Sequence, residues 1–220
     1  MHVGALVMGG ARWVGAHAMG RHKSRGIRAH QVRPRFGGVG RDAPPRAERL
    51  SDELRLGASR SVVRRRRIAG LTLVSALAYG VVGAYQFGLA PAVPEPPLPL
   101  FDADRVDASG EAYAVLDTPD AALGLTSAGI TLVLAGMSGE RRRAERPWLT
   151  LLFTGKVAAD AAGAAYLFAE QATRHRRLCS WCTLAAVANI AALPIALAEA
   201  RAALGALRGR GARTARSGGE

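Results

Sequence analysis

The chain has 220 residues, a formal net charge of +13, and a composition that is 49% hydrophobic but only 5% aromatic. Its two cysteines are too few to staple a disulfide-dependent secreted fold. Residues 1–67 hold 16 of the 30 Lys and Arg against four acids, so the charge belongs to one segment and not to a basic nucleic-acid-binding domain. What remains is nearly neutral, carries long apolar runs, and reads as a membrane protein with a basic leader.

Residues 1–67 are rich in Gly, Arg and His and show no sustained period of 3.6 or 2, so a disordered basic tail is expected there. The apolar run 3–8 is too short for a signal peptide and has no charged stretch before it. The segment from Leu50, LSDELRLGASRSVVRRRR, looks more like a natural beginning than Met1, which makes an over-extended reading frame one expectation. Residues 68–90, IAGLTLVSALAYGVVGAYQFGLA, are uncharged and long enough to cross a hydrocarbon core of about 30 Å.

From 91 to 120 the chain changes character. Pro91, Pro94, Pro96, Pro97 and Pro99 interrupt any helix, and seven acids face the single Arg105, which predicts an exposed loop. Residues 121–137 form a second apolar stretch, short for a span. Residues 138–146, with Arg141, Arg142, Arg143 and Arg146, read as a cytoplasmic turn. Residues 147–170 give a third span, in which Lys156 and Asp160 share a face at i,i+4. Two readings of that pair stay open: proton delivery, or a mutually neutralising pair inside the bundle. After a short connection at 171–178, residues 179–198 form the fourth span, softened by Pro194, and 201–220 is an Arg/Gly-rich tail that starts helical and frays. The expected fold is all-α, an integral membrane four-helix bundle over 68–200 with a disordered basic N-terminal tail.

Positive charge flanks the start of the first span, the turn between the second and third, and the C-terminal tail. The positive-inside rule then places both termini in the cytoplasm and the loops 91–120 and 171–178 outside. Arg174, Arg176 and Arg177 run against this assignment, since they fall on the outer side.

The candidate chemistry sits at the mouth of the fourth span, where Cys179 and Cys182 form a Cys-x-x-Cys pair. One helical turn brings their β-carbons to about 5–6 Å, within reach of a reversible disulfide after a small adjustment. A thiol attacks as its thiolate, which helix N-termini and cationic neighbours favour. Cys179 follows Arg176 and Arg177 and opens the helix, so it is the expected exchange partner of an external dithiol, while Cys182, one turn deeper, faces a membrane oxidant such as a quinone. Trp181 is either a flat surface for that oxidant or an interfacial anchor. Two other classes compete with this redox reading. His175, Cys179 and Cys182 offer donors that zinc or copper(I) accepts, which would make a soft-metal binder or transporter; or the cysteines are structural parts of a membrane scaffold.

The four-span layout with Cys-x-x-Cys opening the last helix, and the loop SGEAYAVLDTPDAALGL before the second, resembles the vitamin K epoxide reductase family, particularly its bacterial members, over about residues 68–200. The shared features are Ser109, Tyr113, the Pro119-to-Gly124 spacing, the cysteine pair and Asn189. The resemblance implies a thiol:quinone oxidoreductase in the bacterial cytoplasmic membrane, with a quinone of ubiquinone or menaquinone type as co-substrate and a thioredoxin-like protein outside as partner, and no nucleic acid. It makes Cys182 the cysteine beside the quinone and Cys179 its exchange partner, with Asp120, Trp181 and Asn189 as candidate quinone-site residues. Asp120 stands where family members commonly have a quinone-bonding Asn; its other reading is an N-cap for the second helix. Ala186 stands where some members have a Tyr. The family's second cysteine pair is missing from the loop, where this chain has Phe101, Asp102, Ala103 and Asp104.

Overall fold

A computed structural model describes residues 45–137 and 146–217. Within them the chain is helical: α1 (Pro45–Leu56), α2 (Arg60–Gln86), the short α3 (Ala103–Asp107), α4 (Asp120–Gly136), α5 (Pro147–Glu170) continued by a π turn (Gln171–His175), and α6 (Ser180–Ser217). Helix α6 packs along both α2 and α5, and α4 lies mainly against α2. Three segments are long and apolar enough to cross a membrane, Arg60–Gln86, Pro147–His175 and Ser180–Gly205, and α4 is a shorter apolar helix.

The distribution of side-chain size follows from a lipid surround. The buried stripe of α6 is Ala185, Ala188, Ala192 and Ala196, whose small side chains let helix backbones approach. Large apolar side chains, among them Leu73, Leu77, Val133, Leu152 and Val187, point outward, where hydrocarbon is as good a neighbour as another helix. The core of one half is Ile68, Phe153, Val157 and Ala192. At Gly124 of α4, an added Cβ would come within 2.8 Å of the Tyr79 ring, so only glycine lets α4 close on α2 there.

Helix α5 has the bounds expected for the third span, but α2 and α6 do not. Helix α2 begins at Arg60, eight residues before the apolar run, capped by Ser59, whose hydroxyl accepts from Val62 N at 3.4 Å. Arg66 donates to the carbonyls of Leu54 (2.8 Å) and Gly57 (3.1 Å) and ties α1 down. Residues 45–56 and 60–67 are therefore helical, in contrast to the disordered tail expected for all of 1–67, because arginine is a good helix former and charge alone does not end a helix. Residues 1–44 and the expected turn at 138–145 lie outside the described residues. Helix α2 ends at Gln86, short of Ala90, where Gly88 takes a φ of 73°. At the other end, α6 runs on from Ala198 to Ser217.

The Lys156–Asp160 pair finds further partners, and the bundle holds a second ion pair. Lys156 Nζ donates to Asp160 Oδ1 (2.5 Å), Ser127 Oγ (2.8 Å) and Thr131 Oγ1 (3.1 Å), and both hydroxyls donate to the Asp160 carboxylate at 2.6 Å. This neutral cluster fastens the short α4 to α5. Near the opposite end of the bundle from the cysteines, Arg65 Nε donates to Glu199 Oε2 at 3.0 Å and its guanidinium lies 5.0 Å from the centre of the Phe153 ring.

Candidate redox site at the mouth of the last helix

The acidic loop and the cysteine pair share one end of the bundle because the loop is laced onto the start of α6. Asp102 N donates to Leu178 O and Leu178 N to Leu100 O, each at 3.0 Å. Glu95 joins three segments: its Oε1 accepts from Ser180 N at 2.7 Å, capping α6, and its Oε2 accepts from Ala103 N at 2.5 Å, at the start of α3. Trp181 Nε1 donates to Pro94 O at 2.6 Å, and Arg177 donates to Pro99 O. These hydrogen bonds hold the loop down on the helix mouth.

Under this loop Cys179 is completely buried, in one apolar cluster with Val82, Val93, Ala103, Val106 and Ala121. Cys179, the expected exchange partner of an external dithiol, is covered, because the loop expected to be exposed packs on the helix mouth. Its amide donates to Gln171 Oε1 at 3.1 Å, and its Sγ accepts from Cys182 N at 3.2 Å, so the sulfur itself occupies the capping position of the first turn. Both cysteines are free thiols, and Cys182 is only half-buried.

The charged group against the sulfurs is an acid, not one of the expected arginines. Arg174 pairs with Glu170 at 2.7 Å and Arg177 with the loop, while Arg176 is exposed in a left-handed turn with φ of 53°. Asp107, at the end of α3 and 1% exposed, accepts from Cys182 Sγ through Oδ1 at 3.4 Å. Its Oδ2 is buried without a hydrogen-bond partner among the described residues. Burial pushes the Asp107 carboxyl up to about 6; hydrogen bonds from the two thiols act against that rise, and the nearby Asp120 and Glu95 charges add to it. Nothing in the sequence singles Asp107 out among seven loop acids.

A cleft opens beside Cys182, lined also by Tyr79, Asp120, Ala186, Phe168 and His175. Asp120 is the first residue of α4 and makes no cap: Pro119 precedes the helix, the Asp120 carboxylate accepts from Gln86 Nε2 at 2.7 Å, and Gln86 Oε1 takes the Ala121 amide at 3.2 Å. Gln86 thus does the capping expected of Asp120. Asn189 lies outside the cleft lining, but its Nδ2 donates to the Tyr79 hydroxyl at 3.1 Å and its Oδ1 is 3.3 Å from Ser75 Oγ. Trp181 holds the loop and is likewise not among the lining residues. Ser109 and Tyr113 serve the loop itself, donating to Val106 O (2.7 Å) and Gln86 O (3.3 Å).

The one cluster of metal-type donors among the described residues is Asp107, Cys179 and Cys182, whose donor atoms lie within 4.8 Å of one another. It does not include the His175 that a metal-binding reading needs, and three donors fall short of the four of a closed zinc site.

Apolar helices that bury small residues and expose large ones, with two free thiols one turn apart at a helix mouth, are the features of a membrane protein that can carry thiol chemistry. The chain belongs to the vitamin K epoxide reductase family, whose family model matches residues 66–197, from within α2 to within α6. No individual curated protein matches the chain.

Proposed function

We propose that this protein is a membrane thiol:quinone oxidoreductase that passes an electron pair from an extracytoplasmic dithiol through Cys179 and Cys182 to a quinone of the ubiquinone or menaquinone type. The observation that carries the reading is Cys182: its residue lines the cleft while its sulfur shares a site with Cys179. In the reaction the two thiols lose two electrons and two protons as the Cys179–Cys182 bond forms, and the quinone is reduced by the same count.

Within this reading Asp120 meets the quinone directly. Gln86 occupies Asp120 Oδ1, and a proton on Asp120 Oδ2 would donate to a quinone oxygen as the family's Asn does. Asn189 acts through Tyr79: by donating to the phenol oxygen it leaves the phenol proton free to point into the cleft, where Ala186 provides no hydroxyl. Trp181 anchors the loop. Cys179 exchanges with the outside dithiol after the loop held by Glu95 lifts, since no thioredoxin-like partner reaches a sulfur with no exposed surface. The topology that goes with this function is four spans in a bacterial cytoplasmic membrane, α4 being the second, with both termini inside and the cysteines at the outer face. Residues 68–200 carry the function, between a basic N-terminal segment and an Arg/Gly-rich C-terminal one.

Purified protein in lipid nanodiscs, given dithiothreitol and a short-chain ubiquinone or menaquinone analogue, is expected to reduce the analogue catalytically. Absence of turnover above the no-protein rate with either analogue would sink the proposal.

A further inference from the structure

We infer that Asp107 is the proton acceptor of the cysteine pair, taking the thiol proton of Cys182 when the disulfide forms and returning it when the disulfide opens. The inference rests on the redox reading above and adds a catalytic residue to the cysteine pair. Its geometry is direct, since Asp107 Oδ1 lies 3.4 Å from Cys182 Sγ and a carboxylate oxygen of Asp107 lies within 4.8 Å of Cys179 Sγ, so a single carboxylate stands beside both sulfurs.

Three features make this carboxylate a working base and not a structural acid. First, Cys179 has no exposed surface and Cys182 is half-buried, so an internal group must take a proton that bulk water reaches poorly. Second, Asp107 Oδ2 is buried with no hydrogen-bond partner among the described residues, so one oxygen of this carboxylate is open to take a proton. Third, the titratable groups facing Asp107 are Cys179 just before α6, Cys182 in its first turn, Asp120 from α4, Glu95 from the loop and Tyr85 from α2, so every neighbour that can ionise becomes negative and no cation pins Asp107 in its charged form. Gln86 meets only its backbone carbonyl, at 3.2 Å.

Burial holds this acid near neutrality, at about 6 with the thiols present. The thiols hydrogen-bond the carboxylate and oppose its protonation. Disulfide formation removes those donors, so Asp107 holds its proton more tightly when the pair is oxidised. The balance is Cys182–SH plus Asp107 carboxylate going to Cys182 thiolate plus Asp107 carboxylic acid. As the S–S bond forms, the two sulfurs give two electrons to the quinone, which takes up the Cys179 proton and one proton from water to become the quinol. Reduction of the disulfide by a dithiol then returns the Asp107 proton to Cys182, gives Cys179 one of the dithiol's two protons and releases the other to water.

The test compares wild type, Asp107→Asn and Asp107→Glu, all in nanodiscs. Pre-reduced protein is mixed with a short-chain ubiquinone analogue and the single oxidation followed. Wild type is expected to slow as pH falls through about 6, because the base is lost. Asp107→Asn should be slower by about a hundredfold at neutral pH and flat through that range, with partial recovery in Asp107→Glu. Independently of any quinone, the infrared difference between dithiothreitol-reduced and oxidised wild type should show a carboxylic acid carbonyl band in the oxidised form, missing in Asp107→Asn. Wild-type rate and pH profile in Asp107→Asn, or no such band in wild type, overturns the inference. If wild type is not oxidised by the quinone but shows the band, the quinone reading fails and the Asp107 assignment stands.

Discussion

Replacing Cys182 with alanine is expected to abolish quinone reduction, with a loss of more than about a thousandfold in turnover, because the remaining thiol can neither face the cleft nor close a disulfide. Alanine is a better helix former than cysteine and the position is only half-buried, so the fold tolerates the change. The variant should also accumulate a mixed disulfide on Cys179, since the resolving sulfur is gone. That species forms only when the loop has lifted from Cys179, so its rate reports loop opening. Substantial turnover in Cys182→Ala would remove the pair from the mechanism.

The second large effect is on stability, far from the cysteines. Arg65 and Glu199 are bonded at 3.0 Å with side chains only 4% and 0% exposed, and Arg65 Nη2 also reaches Thr150 Oγ1 at 3.3 Å. Removing one partner takes this ion pair from a charge that stays buried. Glu199→Ala and Arg65→Ala are each expected to cost about 3–5 kcal/mol, while Arg65→Met combined with Glu199→Leu should recover most of the loss, because two apolar side chains carry no desolvation penalty. Thermal unfolding in detergent checks this. Single variants within about 1 kcal/mol of wild type would show that the pair does not hold α2 to α6.

How much of this could be read in advance differs from element to element. Hydropathy located the apolar helices, and for α5 the bounds Pro147–Glu170 coincide, because Pro147 fits a first helical turn and the apolar pattern runs unbroken to Glu170. The same method misplaced the start of α2, since hydropathy measures where lipid begins and helices continue beyond it. The i,i+4 relation of Lys156 and Asp160 was legible, but not the Ser127 and Thr131 hydroxyls that complete the cluster, which arrive from another helix.

At the site, the spacing of Cys179 and Cys182 pointed to paired chemistry, and their arginine neighbours in sequence pointed the wrong way. Adjacent residues on a turn diverge in space, so Arg174 and Arg177 went to Glu170 and the loop. Asp107, 72 residues before Cys179 in sequence, arrived against the sulfurs by tertiary packing alone. The burial of Cys179 has the same origin: a Pro-rich, acidic stretch looks exposed until Glu95, Trp181 and the Leu178 backbone bind it down.

The most direct measurement is peptide mapping of fully reduced protein after one equivalent of a quinone analogue in the absence of oxygen. The account predicts one reduced quinone per chain and a Cys179–Cys182 disulfide in the same amount. Reduced quinone without that disulfide, or both thiols still free after the quinone is added, would contradict it.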